Sequence, residues 1–219
     1  MLPLAGATPA SGPTSALQLA LLLSLVTLAP AIILTCTSFA RFLVVFSMLK
    51  NGLGTPGAPP NQVLVGLALF LTMFVMAPVG QTLYDGALQP YLRGALDEKA
   101  ALAAATPPLR AFLLKRTRAT DLGLFYEVSR QPRPRTTADV PLRIAIPAFV
   151  LSELRTGFEM GLVILLPFLV IDLVVAIILS ALGMVMLPPS VIATPAKLLV
   201  FLAVDGWALV TRSLVEGAL

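Results

Sequence analysis

Apolar positions gather into four blocks along this chain, and Gly- and Pro-rich breakers separate them. The first block, residues 16–39, is mainly apolar and matches the ~20 residues that a bilayer-spanning helix needs. The stretch before it, "MLPLAGATPASGPTS" (1–15), is rich in Pro, Ala, Gly, Ser and Thr and predicts a flexible lead. The run "NGLGTPGAPPN" (51–61) breaks the chain. A second block, "VLVGLALFLTMFVMAPVGQTL" (63–83), is about one span long, with Gly66 inside it and Pro78 near its end. The third, 144–187, is 44 residues long. As one helix it would run ~66 Å at ~1.5 Å per residue, about twice the ~30 Å hydrocarbon core. It is therefore no simple span. Either Pro147 and Pro167 start or kink helices within it, or much of it lies against protein rather than lipid. Pro188 and Pro189 end it, and the fourth block, 191–219, is again near one span in length.

Residues 85–143 break the pattern. They hold most of the Lys and Arg of the chain, and "LDEKAALAAATPPLRAFLLKRTRATDLGLFYEVSR" has helical spacing interrupted by Pro107-Pro108. Leu109, Phe112 and Leu113 recur at i, i+3, i+4, with Arg110, Lys115, Arg116 and Arg118 around them. "QPRPRTTADVP" (131–141) follows as a linker. The expected layout is all-α: a lead (1–15), a first hydrophobic helical pair (16–84), a small water-exposed helical domain (85–143) and a second hydrophobic pair (144–219), giving four long segments as kinked hairpins. The basic cluster 115–118 could address nucleic acid or anionic lipid. Interspersed acids and few aromatics favour a solvated helix face instead.

Composition fixes the class. Of 219 residues, 58% are hydrophobic and 12% charged, whereas soluble domains run about 45–50% and about 25%. This is a membrane or membrane-assembly protein. The chain has no histidine, the commonest acid/base and metal-ligand residue, and its single cysteine, Cys36, excludes an intrachain disulfide and a cysteine-cluster metal site. Residues 1–40 carry no charge, so they lack the basic region that a signal peptide requires. No phosphate loop, metal-ligand spacing or nucleophile–base pair is present in the sequence, and no cofactor is expected.

Charges do occur inside the last two apolar blocks. Glu153, Arg155, Glu159, Asp172, Lys197 and Asp205 lie within or beside them, and each would cost ~2.5–3.5 kcal/mol at a bilayer centre. Arg155 and Glu159 are spaced i, i+4 and can pair within one helix. Glu153, Asp172 and Lys197 have no partner within their own turn, so another helix or another subunit must supply one. Three uses compete: a proton or ion relay through Asp172 and Glu153, intersubunit ion pairs, and snorkelling to the interface.

Three long motifs carry a family resemblance: "TSFARFLVVFSMLKNGLGTPGAPPNQVLVGLALFLTMFVMAPV" (37–79), "PLRAFLLKRTRATDLGLF" (108–125), and the stretch 139–210 containing "LSELRTGFEMGLVILLPFLVIDLVVAIILSALGMVMLPP". In this order they resemble the FliP family of flagellar type III export-gate subunits, from about residue 20 to the C-terminus. Virulence secretion systems hold related subunits, but "PPNQVLVGLALFLT" (59–72) is more similar to the flagellar branch. The resemblance implies a subunit without catalytic activity or cofactor. It implies a helical ring, five copies in the family, assembled with FliQ- and FliR-like membrane subunits and an FlhB-like switch protein inside the basal-body ring. Unfolded flagellar proteins would pass through it transiently; nucleic acid would not bind. The gate would belong to the bacterial inner membrane but sit largely at the periplasmic level. Among residues, the resemblance implies a pore gasket at Met184 and Met186 and subunit-joining charges at Glu153 and Lys197, with Asp172 in the same helix as Glu153. Flagellar relatives commonly have consecutive methionines where this chain has Val185. A small ion or solute transporter is the alternative from another class.

Two expectations remain to be set against the structure. The positive-inside rule would put 85–143 in the cytoplasm, whereas the resemblance puts it on the periplasmic side, with Arg41, Lys50 and Lys197 marking cytoplasmic turns. The loop "GMVMLPP" (183–189) ends in prolines that bias Leu187 to extended geometry. If the extension reaches back to Met184, then Met184 and Met186 point one way and Val185 the other.

Overall fold

A computed structural model of the chain describes residues 23–24, 27, 30–55, 57–184 and 186–218. The expected lead (1–15) and nearly half of the first apolar block (16–39) lie outside the described residues. What is described is all-helical, with no strand among the described residues. The helices are α1 (Pro30–Cys36), α2 (Phe39–Leu53), α3 (Asn61–Leu83), α4 (Gln89–Leu92), α5 (Glu98–Arg116), α6 (Ala119–Val128), α7 (Leu142–Ala181), α8 (Ser190–Ala203) and α9 (Gly206–Glu216).

Two of these are long and apolar enough to cross a membrane: 61–92, where a π-helical turn (Tyr84–Leu88) joins α3 to α4, and α7. The first runs past residue 84, where composition had placed the end of the apolar pair. Two bent pairs would raise the number to four: α1 with α2, turning by 83°, and α8 with α9, turning by 64°. The fourth block is thus two helices with a corner at Asp205, a non-glycine residue in left-handed conformation (φ 50°).

The element at the centre of the fold, α2, begins where the first apolar block (16–39) ends and fills the stretch up to the 51–61 breaker, a stretch to which the apolar pattern assigns no helix of its own. Phe42, Val45, Phe46 and Leu49 recur at i, i+3, i+4 and i+7 and are fully buried. They pack with Leu64 and Ala68 of α3, Phe168 of α7, Phe201 of α8 and Leu214 of α9. Gly157 and Gly161 let α7 approach α2 closely. A Cβ on Gly157 would stand 3.3 Å from the Arg41 carbonyl oxygen, and one on Gly161 2.4 Å from Met48 Sδ. Small residues four apart bring helix backbones together in this way.

A second cluster sits on the other half of α7. Phe112 and Leu113 of α5 and Tyr126 of α6 pack on Val140, Ile144 and Phe149. Phe112 and Leu113 belong to the helical stripe read from sequence. Pro107 and Pro108 do not interrupt α5, which continues through both. Pro147 and Pro167 likewise lie inside an unbroken 40-residue α7. A proline removes one N–H bond and crowds the previous turn, at ~3 kcal/mol, and packing against α2, α5 and α6 along its length outweighs that cost here.

Candidate functional site

Charged residues of the apolar helices meet in two places. The first is a closed hub at the start of α2. The Arg41 guanidinium, 4% exposed, forms an ion pair with the fully buried Glu153 of α7. Its other terminal nitrogen, Nη1, donates to the Gly217 carbonyl oxygen at 2.7 Å. Arg116 of α5 lies over the Phe112 ring, 4.1 Å from its centroid, and donates to the Ala218 carbonyl oxygen. Burial pushes Arg116 below the ordinary guanidinium range, with Glu153 partly opposing that fall. Two arginines therefore hold carbonyls beyond the end of α9, where the helix dipole favours cations. Glu153 Oε2, Arg41 Nε and Ser38 Oγ are buried there without a hydrogen bond among the described residues.

Beside the hub, α6 is bolted across α7. Ser152 Oγ donates to Asp121 Oδ2 at 2.7 Å and accepts from the Arg118 backbone N–H at 3.0 Å. Arg155 reaches Asp121 Oδ1 at 3.3 Å, and Arg118 donates to Glu159 Oε1 at 2.8 Å. This corrects the expected i, i+4 pair: Arg155 and Glu159 each turn to residues 118–121, because α6 crosses directly over their face of α7. The hydrogen bonds to Glu159 raise Arg118 above the ordinary guanidinium range. Part of the basic cluster is thus fixed in packing, while Lys115 lies on the surface.

The second place joins α7 to α8. Lys197 Nζ donates to Asp172 Oδ2 at 2.6 Å and to the Gly52 carbonyl oxygen at 2.9 Å. The Lys197 side chain is 6% exposed and that of Asp172 43%, so the pair has one closed side and one open side. The sequence left the partners of Glu153, Asp172 and Lys197 to another helix or another subunit. Within one chain, other helices supply all three. Glu153 and Lys197 do not meet: Glu153 lies about 29 Å along α7 from Asp172 at ~1.5 Å per residue.

Met184 and Met186 stand in the loop after α7. Gly183, at φ +72°, ends the helix: its N–H bonds the Ser180 carbonyl at 3.1 Å, and the Met184 N–H reaches back to that of Leu179 at 2.9 Å. That double bond is the Schellman motif. The expected extended run does not form, because the Leu187 N–H bonds the Met184 carbonyl at 3.3 Å and closes a turn. Val185 lies outside the described residues. Met184 is 46% exposed and Met186 99%. Among the described residues Met186 is open to solvent and Met184 about half covered.

Sequence reasoning missed Arg41, reading it as a turn marker. Its partner is 112 positions away, and no local spacing signals such a pair. Among the described residues no three His, Cys, Asp or Glu gather as a metal site would require.

Residues 22–214 match the model of the FliP family. The chain is 48% identical over 203 residues to a flagellar biosynthetic protein FliP of Pectobacterium carotovorum, covering 93% of this chain and 79% of the relative. To the protein of that name in Caulobacter vibrioides it is 47% identical over 199 residues, 91% and 75% of the two chains. To that of Bacillus subtilis it is 43% identical over 203 residues, 93% and 92%.

Proposed function

Because this chain belongs to the FliP family, we propose that it is a non-enzymatic subunit of the flagellar type III export gate, an oligomeric channel for unfolded flagellar proteins. The observation that carries this reading is α7. Its 40 residues span ~60 Å at ~1.5 Å per residue, about twice a bilayer core. Large apolar side chains stay exposed along it from Phe158 to Ile178. That exposed stretch alone is about one bilayer core in length, but it contains Asp172, whose side chain is 43% exposed; a charge facing lipid is costly, which favours protein neighbours there. The proposed neighbours are further copies of the chain, five in all, with FliQ-like, FliR-like and FlhB-like subunits, inside the basal-body ring. The assembly would belong to the inner membrane and rise to the periplasmic level.

In this reading Met184 and Met186 line the narrowest point as a deformable gasket, thioethers suiting contact with chains of varied shape. Asp172 is the interface charge with an open side. Lys197 would orient it, and Glu153 would act from inside by fixing α2 on α7. Native mass spectrometry of the chain purified with and without FliQ- and FliR-like partners tests the proposal. A multimer of this subunit that also contains the partners is expected. A stable monomer that moves ions across liposomes unaided would establish the transporter reading instead.

A further inference from the structure

The loop "RQPRPRTT" between α6 and α7 carries arginines that neither the folding core nor the charge hub uses. It is held at both ends. Arg130 closes α6 in left-handed conformation (φ 53°), with its N–H on the Glu127 carbonyl at 3.1 Å and the Gln131 N–H on that of Tyr126 at 3.2 Å. The turn Thr137–Asp139 then leads into α7. Between them the loop and α6 line an open groove with room of about 230 Å³, several times the ~30 Å³ share of one water; Arg133 and Arg135 are exposed at its rim. Arg133, Arg135, Tyr126, Thr136 and Thr137 line it, and no Asp or Glu does. Asp139, next along the loop, is engaged by Thr136 Oγ1 at 2.6 Å.

Three features make this more than a solvated basic loop. Arg133 and Arg135 take part in no ion pair among the described residues. Gly123 provides a seat for Arg133, since a Cβ there would stand 2.6 Å from the guanidinium Nη2. Tyr126 is 4% exposed, and its hydroxyl has no hydrogen-bond partner among the described residues. A tyrosine hydroxyl is neutral near pH 7 and can donate, and burial raises this one further. Guanidinium forks, hydroxyls and an acid-free wall match a tetrahedral oxyanion.

We propose that this groove binds a phosphate group, through Arg133 and Arg135 with Tyr126 in support. Free phosphate and a phosphomonoester lipid headgroup share the chemistry, and the test separates them. The full chain in detergent micelles is titrated calorimetrically with inorganic phosphate at constant ionic strength. It is also placed in nanodiscs of phosphatidylcholine with or without phosphatidic acid, and the co-purifying lipid is measured. Saturable phosphate binding is expected, at least tenfold weaker in Arg133→Ala/Arg135→Ala. Gly123→Ala keeps every charge and meets only the end of a long side chain, so it should fold, yet bind several-fold more weakly. Arg212→Ala, far along the sequence in α9, should bind as the unmodified chain does. Phosphate heat without lipid preference assigns the free ion; phosphatidic acid enrichment that the double variant abolishes assigns the headgroup. Absence of both responses, undiminished binding in the double variant, or an equal loss in Arg212→Ala overturns the proposal.

Discussion

Glu153 and Arg41 are the residues on which the chain interior depends most. Both are desolvated, and their attraction offsets that cost only while both are present. Arg41→Leu should therefore destabilise the chain by ~3–5 kcal/mol. Arg41→Leu with Glu153→Leu should cost less than the sum of the single changes, because no charge is stranded. Thermal unfolding of the four proteins in micelles measures this, and additive losses would mean the pair is not coupled. The Lys197–Asp172 pair is open on the Asp172 side only. If Lys197 and Asp172 work together as their 2.6 Å contact indicates, Lys197→Glu should impair assembly and Asp172→Lys should partly restore it. Glu153→Lys, which the resemblance alone would have chosen as the rescuer, should not. Recovery of ring formation and of motility reads the outcome. The sequence made these charges conspicuous because ionisable residues are rare in apolar blocks. It could not pair them, since pairing across 112 or 25 positions depends on how helices cross.

Helix ends, more than helix interiors, separate this fold from the pattern of its residues. Apolar run length located α3 and α7, and helical spacing located α5. The pattern failed at corners. The 83° turn before α2 and the 64° turn before α9 fall inside apolar runs, where neither hydropathy nor length changes. It also reads Pro107-Pro108 as an interruption, although α5 continues through both, and α7 likewise runs through Pro147 and Pro167 without a break. Two glycines mark ends that do depend on local chemistry. Gly183 sits at φ +72° with nothing within 4 Å of its absent Cβ, so Gly183→Ala meets strain alone. It should cost ~1–2 kcal/mol. Gly206 is the reverse case: a Cβ there would stand 2.1 Å from the Phe201 ring, so Gly206→Ala must force α8 and α9 apart. Its loss of thermal stability should exceed that of Gly183→Ala, and Phe201→Leu should recover part of it by opening space. Equal losses would show that the α8–α9 corner has room to relax.

At the level of the whole molecule, the distribution of apolar surface matters more than any one contact. The interior of α2 is closed, while α3 and α7 turn Phe70, Phe74, Leu166, Leu173 and Ile177 outward. Exposed apolar faces of this extent mark lipid or protein contacts, and the half-exposed Asp172 within that of α7 favours protein. The Arg41–Glu153 hub and the α6–α7 bolts tie α2, α6 and α7 together within one chain. Under the proposed function, the loop after α7 is the part whose role would exist only in the assembly. Met186 is 99% exposed in one chain, so burying it can contribute nothing to the fold of the monomer. Met184→Ala with Met186→Ala should accordingly leave thermal stability within ~0.5 kcal/mol, as surface substitutions do. In the assembled gate the same change should raise resting conductance to ions or small solutes in planar bilayers. A stability loss well beyond that range would mean the methionines pack within the chain. Background conductance with an intact ring would move the seal to other residues. The two measurements together separate a residue kept for folding from one kept for closure.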